Sequence, residues 1–135
     1  MQSPKTKILG YLQVFVGMGA VAGGLPMILN PGGSDQGLTT EVLANSPFPD
    51  YLIPGIFLFV VNGLGSLFGA YLSLKDKALA SRAGMVLGII LILWIVIQVY
   101  YLGLVSWLQP FFFIIGIAEL VLGIFIFKKE KPRLG

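Results

Sequence analysis

Glu119 is the only Asp, Glu, Lys or Arg that lies well inside a long apolar stretch of this sequence. A charged carboxylate at the centre of a membrane helix costs about 2.5 to 3.5 kcal/mol on insertion scales, so the group must be neutral, paired or facing water. Three amides interrupt the other apolar stretches: Gln13, Asn62 and Gln98. With Glu119 they form a candidate ligand or proton site. Asn62, near the middle of its stretch, is expected to be the best-placed neutral partner for Glu119, with Gln13 nearer one end and Gln98 nearer the other. Two readings stay open. Glu119 either binds and releases a proton or cation, or anchors a polar ligand group; or it is a protonated acid donating one hydrogen bond between helices.

A second group is aromatic. Phe48, Tyr51, Trp94, Tyr101 and Trp107, with Gln98, can line a pocket for a lipid, a quinone or another apolar small molecule. Trp94, Gln98 and Tyr101 fall on adjoining helical turns and fit a lipid-facing aromatic strip even more readily.

The absences narrow the chemistry. The sequence has no Cys and no His, which removes disulfides, thiol catalysis, zinc and haem ligation through those side chains, and the usual general base near neutral pH. Ser106, Asp50 and Glu41 are isolated polar residues without a base beside them. The expectation is therefore a non-enzyme with no cofactor and no metal.

Such residues have to be held by something other than a soluble fold. Of the 135 residues, 56% are hydrophobic and 11% charged, with a mean hydropathy of +0.90. A small soluble domain is mostly surface and needs far more polar cover. About 20 apolar residues in a helix cross a bilayer core, and the sequence offers four such spans in a single membrane domain covering 1–135. They run from about Ile8 to Leu29, Leu52 to Leu74, Ala83 to Leu104, and Pro110 to Phe127. Pro26 is expected to end or bend the first. Pro110 suits the first turn of the fourth, which is the shortest.

Charge orients them. All nine basic residues fall in three clusters: Lys5 and Lys7; Lys75, Lys77 and Arg82; Lys128, Lys129, Lys131 and Arg133. The segment between the first two spans carries Asp35, Glu41 and Asp50 without a single Lys or Arg, and the link between the last two carries no charge. Four spans place every cluster on one side, as the positive-inside rule requires. The N- and C-termini are thereby expected in the cytoplasm of a plasma-membrane protein. The basic residues are accounted for without nucleic acid. Lys5, Lys7, the apolar run and Ala20-Val21-Ala22 also fit a cleavable signal peptide, although Gln13 interrupts that run.

The segment Pro26 to Tyr51 is rich in turn residues, notably Asn30-Pro31-Gly32-Gly33 and Ser46-Pro47-Phe48-Pro49. Thr39 or Thr40 can cap a short helix through Ala44. The segment reads as an extracytoplasmic flap lying on the bilayer. Tyr100, Tyr101, Trp107 and Phe111 to Phe113 form an aromatic belt at the same side.

Small and polar residues recur every three or four positions: Gly10, Gln13, Gly17, Ala20 and Gly24; Asn62, Ser66, Gly69 and Ser73; Gly84, Gly88, Leu91, Ile95 and Gln98; Gly116, Glu119 and Gly123. Each set shares one helix face. Small residues let backbones approach and amides bond across helices. The expected fold is all-α, a four-helix transmembrane bundle with these stripes inward.

The runs Met27-Ile28-Leu29-Asn30-Pro31, Ser46 through Gly55, Trp94 through Gln98 and Ser106-Trp107-Leu108-Gln109-Pro110 resemble those of a group of small four-span bacterial membrane proteins. More loosely, the chain is similar to DoxX-like four-span proteins, which also carry an Asn/Asp-Pro element after the first helix. The resemblance implies a bacterial plasma membrane and four spans, and no activity.

Three functions are compatible with these residues. The leading one is a structural or accessory subunit of a larger membrane complex. The others are a small homo-oligomeric proton- or cation-coupled transporter or channel working through Glu119, and a binder of an apolar small molecule. The lipid bilayer is a partner in all three. An impermeant amine reagent applied outside intact cells is expected to leave Lys75 and Lys77 unmodified; their labelling would invert the charge-based topology.

Overall fold

The computed structural model describes residues 4–34, 40–44, 46–75, 78–103 and 107–134. Thr39, Asp35, Lys77, Leu104, Val105 and Ser106 lie outside the described residues. The described chain is helical, without strands, and four of its helices are long and apolar enough to cross a membrane. The protein is thus a small multi-pass membrane protein by length and composition.

The first helix, Pro4–Leu29, continues through Pro26. Pro26 gives up one N–H bond to the preceding turn, but the helix runs on past it, and the Asn30 N–H reaches the Pro26 carbonyl at 2.8 Å. The second helix, Leu52–Leu74, contains a wide π-turn over Leu58–Leu64, in which the Gly65 N–H bonds the Val60 carbonyl. The third, Ala80–Leu102, stops at Gly103, whose φ of +78° suits glycine. The fourth, Leu108–Leu134, is longer than its apolar run because Lys and Glu continue a helix readily. Its membrane-length part, Leu108–Lys129, has 22 residues, equal to the third span, Ala80–Tyr101, and shorter than the first two.

The helices form a ring in which the first packs along the second, the third along the fourth, and second–third and first–fourth contacts close it. Glycine sets the two tightest seams. A Cβ on Gly88 of the third helix would sit 2.8 Å from the Gly116 carbonyl oxygen and 2.8 Å from the Leu120 nitrogen. A Cβ on Gly24 of the first would sit 2.8 Å from the Phe59 nitrogen. Backbone therefore lies directly on backbone, the arrangement that substitutes for the missing hydrophobic drive between helices in lipid. A small apolar core of Val16, Leu91, Ile95 and Ile115 fills the centre.

The segment between the first and second helices folds back on the bundle. Gly33, at φ +81°, turns the chain, and the Tyr51 N–H donates to the Pro31 carbonyl at 2.9 Å, clamping the two ends together. In place of a short α-helix there is a 3-10 turn, Thr40–Leu43, that buries Leu43. The Ser46 hydroxyl donates to the Leu43 carbonyl at 2.8 Å, and Asp50 Oδ1 accepts from the Leu52 N–H at 3.0 Å, starting the second helix.

Gly88→Ala should destabilise the bundle by about 1–3 kcal/mol, because neither backbone atom it meets can rotate away. Gly65→Ala, whose Cβ would lie 3.5 Å from Leu87, should be neutral. Thermal unfolding in detergent, followed by helical circular dichroism, distinguishes the two.

Candidate functional site

All four small-residue stripes point inward. Gly10, Gln13, Gly17, Ala20 and Gly24 are buried on the first helix; Asn62, Ser66, Gly69 and Ser73 on the second; Gly84, Gly88, Leu91 and Ile95 on the third; Gly116, Glu119 and Gly123 on the fourth. Gln13 and Glu119 are 0% exposed and Asn62 is 1%. The Ser73 hydroxyl donates to Gln13 Oε1 at 2.8 Å. Gln13 Nε2, Asn62 Nδ2 and both Glu119 carboxyl oxygens have no hydrogen-bond partner. Three fully buried polar side chains with open valences is an unusual load for a bundle of this size.

Neighbouring contacts set their depths. Phe15 stacks on Phe112 at 5.9 Å and the Lys5 ammonium lies 5.7 Å from the centre of the Phe125 ring. Glu119, between those rings, is thus level with Leu9 and Gly10 of the first helix. A Cβ on Gly10 would meet Ser73 and Leu74, and one on Gly63 would meet Val21. Asn62 is therefore level with Val21 and Ala22. At 1.5 Å per residue, Glu119 and Asn62 are separated by about 18 Å along the bundle, beyond the reach of two side chains. The expectation that Asn62 is the best neutral partner is corrected: helix-to-helix offset, invisible in the spacing within each helix, moves it far from the acid.

Gln13 stands nearer, about one turn from Glu119 along the axis. Side chains lean toward the N-terminus of their own helix. The first and fourth helices are antiparallel, so Gln13 leans down as Glu119 leans up. The amide head reaches the level of Gly69 and Ser73, where a Cβ on Gly69 would lie 2.9 Å from Gln13 Nε2. Among the described residues, no group of three His, Cys, Asp or Glu gathers that could hold a metal ion.

Gln98 belongs to a different place. It lines a cleft of about 90 Å³ beneath the folded segment, with Leu43, Phe48, Tyr51, Trp94 and Tyr101 among its walls. Trp94 is held by stacking on Phe57 at 4.9 Å. Gln109 Nε2 reaches Gln98 Oε1 only at 3.5 Å, the long limit for a hydrogen bond. Burial pushes the Tyr51 phenol above its ordinary value, so it remains neutral. Trp94, Gln98 and Tyr101 thus line the cleft together. Trp107, expected in the same wall, is 71% exposed and meets Phe111 edge-on at 5.6 Å. It does not line the cleft.

No family model, curated protein or solved structure matches this chain. The site therefore stands on its own geometry.

Three buried polar residues escaped the sequence reading: Thr6, Ser81 and Gln109. Two of them had a signal. Thr6 extends the stripe of Gly10 and Gln13 by one turn, and Ser81 does the same for Gly84 and Gly88.

A Gln13→Ala and Ser73→Ala double-mutant cycle, read by thermal unfolding in detergent, should give a coupling of about 0.6 to 1.7 kcal/mol, the range for hydrogen bonds between membrane helices. A coupling of zero would mean that the 2.8 Å contact contributes no specific energy.

Proposed function

We propose that this chain is a non-enzymatic binding protein of a bacterial plasma membrane, with both termini cytoplasmic. It holds a small apolar molecule with one polar group in the cleft beneath the flap, at the outer face. One observation carries the reading. Phe48, Tyr51, Trp94, Gln98 and Tyr101, scattered over the folded segment and the third helix, converge on a single cleft.

The walls suit a flat ring or the end of an acyl chain. Aromatic faces offer stacking surface, and the Gln98 amide offers one polar contact that can fix orientation. With about 90 Å³ available, the cleft takes a ring or a chain end, and the rest of the molecule remains outside its mouth. Ile97, also in the wall, belongs to the exposed apolar face of the third helix, so such a molecule has a lateral route from lipid. This reading is preferred to a purely structural or accessory subunit because a packing unit has no use for an aromatic cleft with an amide in its wall. The grouping of the basic clusters supports the orientation.

The sequence has two tryptophans, so Trp107→Phe leaves Trp94 as the sole reporter inside the cleft. A short-chain benzoquinone should quench its fluorescence saturably. Adding Gln98→Leu should weaken the apparent affinity about tenfold, as loss of one hydrogen bond implies. The signal should persist to about pH 10, since a raised phenol leaves Tyr51 protonated up to and beyond the ordinary tyrosine value. Linear quenching that is identical with and without Gln98 would remove the reading.

A further inference from the structure

The two halves of the bundle interior differ in kind. Toward the end that carries the basic residues, every helix contributes a buried polar side chain: Thr6 and Gln13 from the first, Ser73 from the second, Ser81 from the third, Glu119 from the fourth. Further toward the flap the centre is Val16, Leu91, Ile95 and Ile115, and among the described residues the buried polar side chains there come from two helices alone, Ser66 and Asn62 of the second and Gln109 of the fourth. Glu119 sits one turn below Ile115 on the same helix face, so it lies at the boundary between the two zones. Ser81 is a turn nearer the basic end, since a Cβ on Gly123 would meet its carbonyl oxygen at 2.9 Å.

A carboxyl group here has no protein partner for either oxygen, and Gln13 Nε2 has none either. Their valences are complementary. An amide N–H₂ donates and a carboxyl oxygen accepts, but the two make no direct hydrogen bond. A water placed between them would accept from the amide and donate to a carboxyl oxygen, as buried waters do for polar groups without a protein partner. A bare metal ion fits poorly, because the free face of Gln13 is a donor.

Charge compensation from the protein is remote. Lys5 of the first helix lies over Phe125, and Arg82 of the third has its guanidinium 5.6 Å from the centre of the Phe127 ring. Lys7 on the first helix, Lys75 at the end of the second, and Lys128 and Lys129 on the fourth are exposed at the same basic end. Lys7 is the nearest of these to the level of Glu119, and its side chain is turned to the outside of the bundle while the carboxyl is fully buried.

We propose that Glu119 is the blind end of a one-sided hydrated inlet, exchanging its proton with the compartment at the basic end through water held by Gln13 and the buried hydroxyls. The apolar layer of Val16, Leu91, Ile95 and Ile115 closes it from the flap side. A single subunit then binds a proton without conducting it. This goes beyond the cleft reading and is independent of it, because the cleft lies on the other side of the apolar layer.

The absence of native cysteine makes any introduced thiol unique. Glu119→Cys and Ser81→Cys are each treated with a small, positively charged, membrane-impermeant methanethiosulfonate from either face of sealed membranes. Lys128→Cys marks the basic face and Pro47→Cys the flap face. Positions 119 and 81 should react only from the face that labels position 128, and Asn62→Cys from neither. Because Glu119→Cys can fail to fold, the wild-type protein gives a second measurement by infrared spectroscopy. The carbonyl stretch of its protonated carboxyl, assigned by its loss in Glu119→Gln, should shift on transfer to D₂O and fade as pH rises. Labelling from the flap face, or a stretch indifferent to both D₂O and pH, overturns the proposal. Benzoquinone quenching of Trp94 should survive Glu119→Gln, which separates failure of this inlet from failure of the cleft.

Discussion

Where Gly88 faces Gly116, two helix backbones lie against each other with no side chain between them. The same happens where Gly24 meets Gly55 and Phe59. In lipid the hydrocarbon around a helix is as apolar as its neighbour, so greasy side chains alone do not hold helices together. Association rests on dispersion across close surfaces, and those surfaces exist only where side chains are small. These two seams join the first helix to the second and the third to the fourth. The rest of the bundle follows from how the two pairs are then brought together.

Close approach at the seams fixes what fills the middle. Once glycine backbones meet, the residues one position away in the same stripes are forced inward, and several of these are polar. Gln13 finds Ser73. Glu119 finds nothing in the protein. Leu9, fully buried, reaches across to Gly84 and ties the first pair to the second near the basic end. The interior is thus not a uniform core: polar side chains from all four helices gather toward the basic end, and the acid lies where they give way to the cluster of Val16, Leu91, Ile95 and Ile115. Cation–π contacts of Lys5 and Arg82 hold basic groups at that end, where they can interact with polar surroundings while their stems cover aromatic rings.

The cleft has a different origin. It exists because Leu43, Ser46, Phe48 and Tyr51 of the segment between the first two helices meet the third helix, with the ends of the segment joined by the Tyr51–Pro31 bond. Its aromatic wall faces inward because Phe57 of the second helix stacks on Trp94 of the third. The two sites use different residues, different ends of the bundle and different chemistry. One is a buried acid among polar side chains near the basic end, and the other an open aromatic notch.

The number of spans, the shared side of the basic clusters and the inward face of each stripe were legible in the sequence, because they depend on periodicity and composition within one helix. Gly10, Gln13, Gly17 and Gly24 show their common face by spacing alone, and Glu119 stands out because no other acid or base shares its depth. Relations between helices were not legible. Asn62 looked adjacent to Glu119 when each was counted along its own span, yet the packing sets them far apart, since nothing in a helix's own period fixes its sliding offset against another. Trp94, Gln98 and Tyr101 share adjoining turns by spacing alone, and that spacing fitted a pocket with Phe48 and Tyr51 as well as a lipid strip. Whether an aromatic stripe meets lipid or a folded segment depends on where that segment lands, and hydrogen bonds between residues distant in sequence decide that.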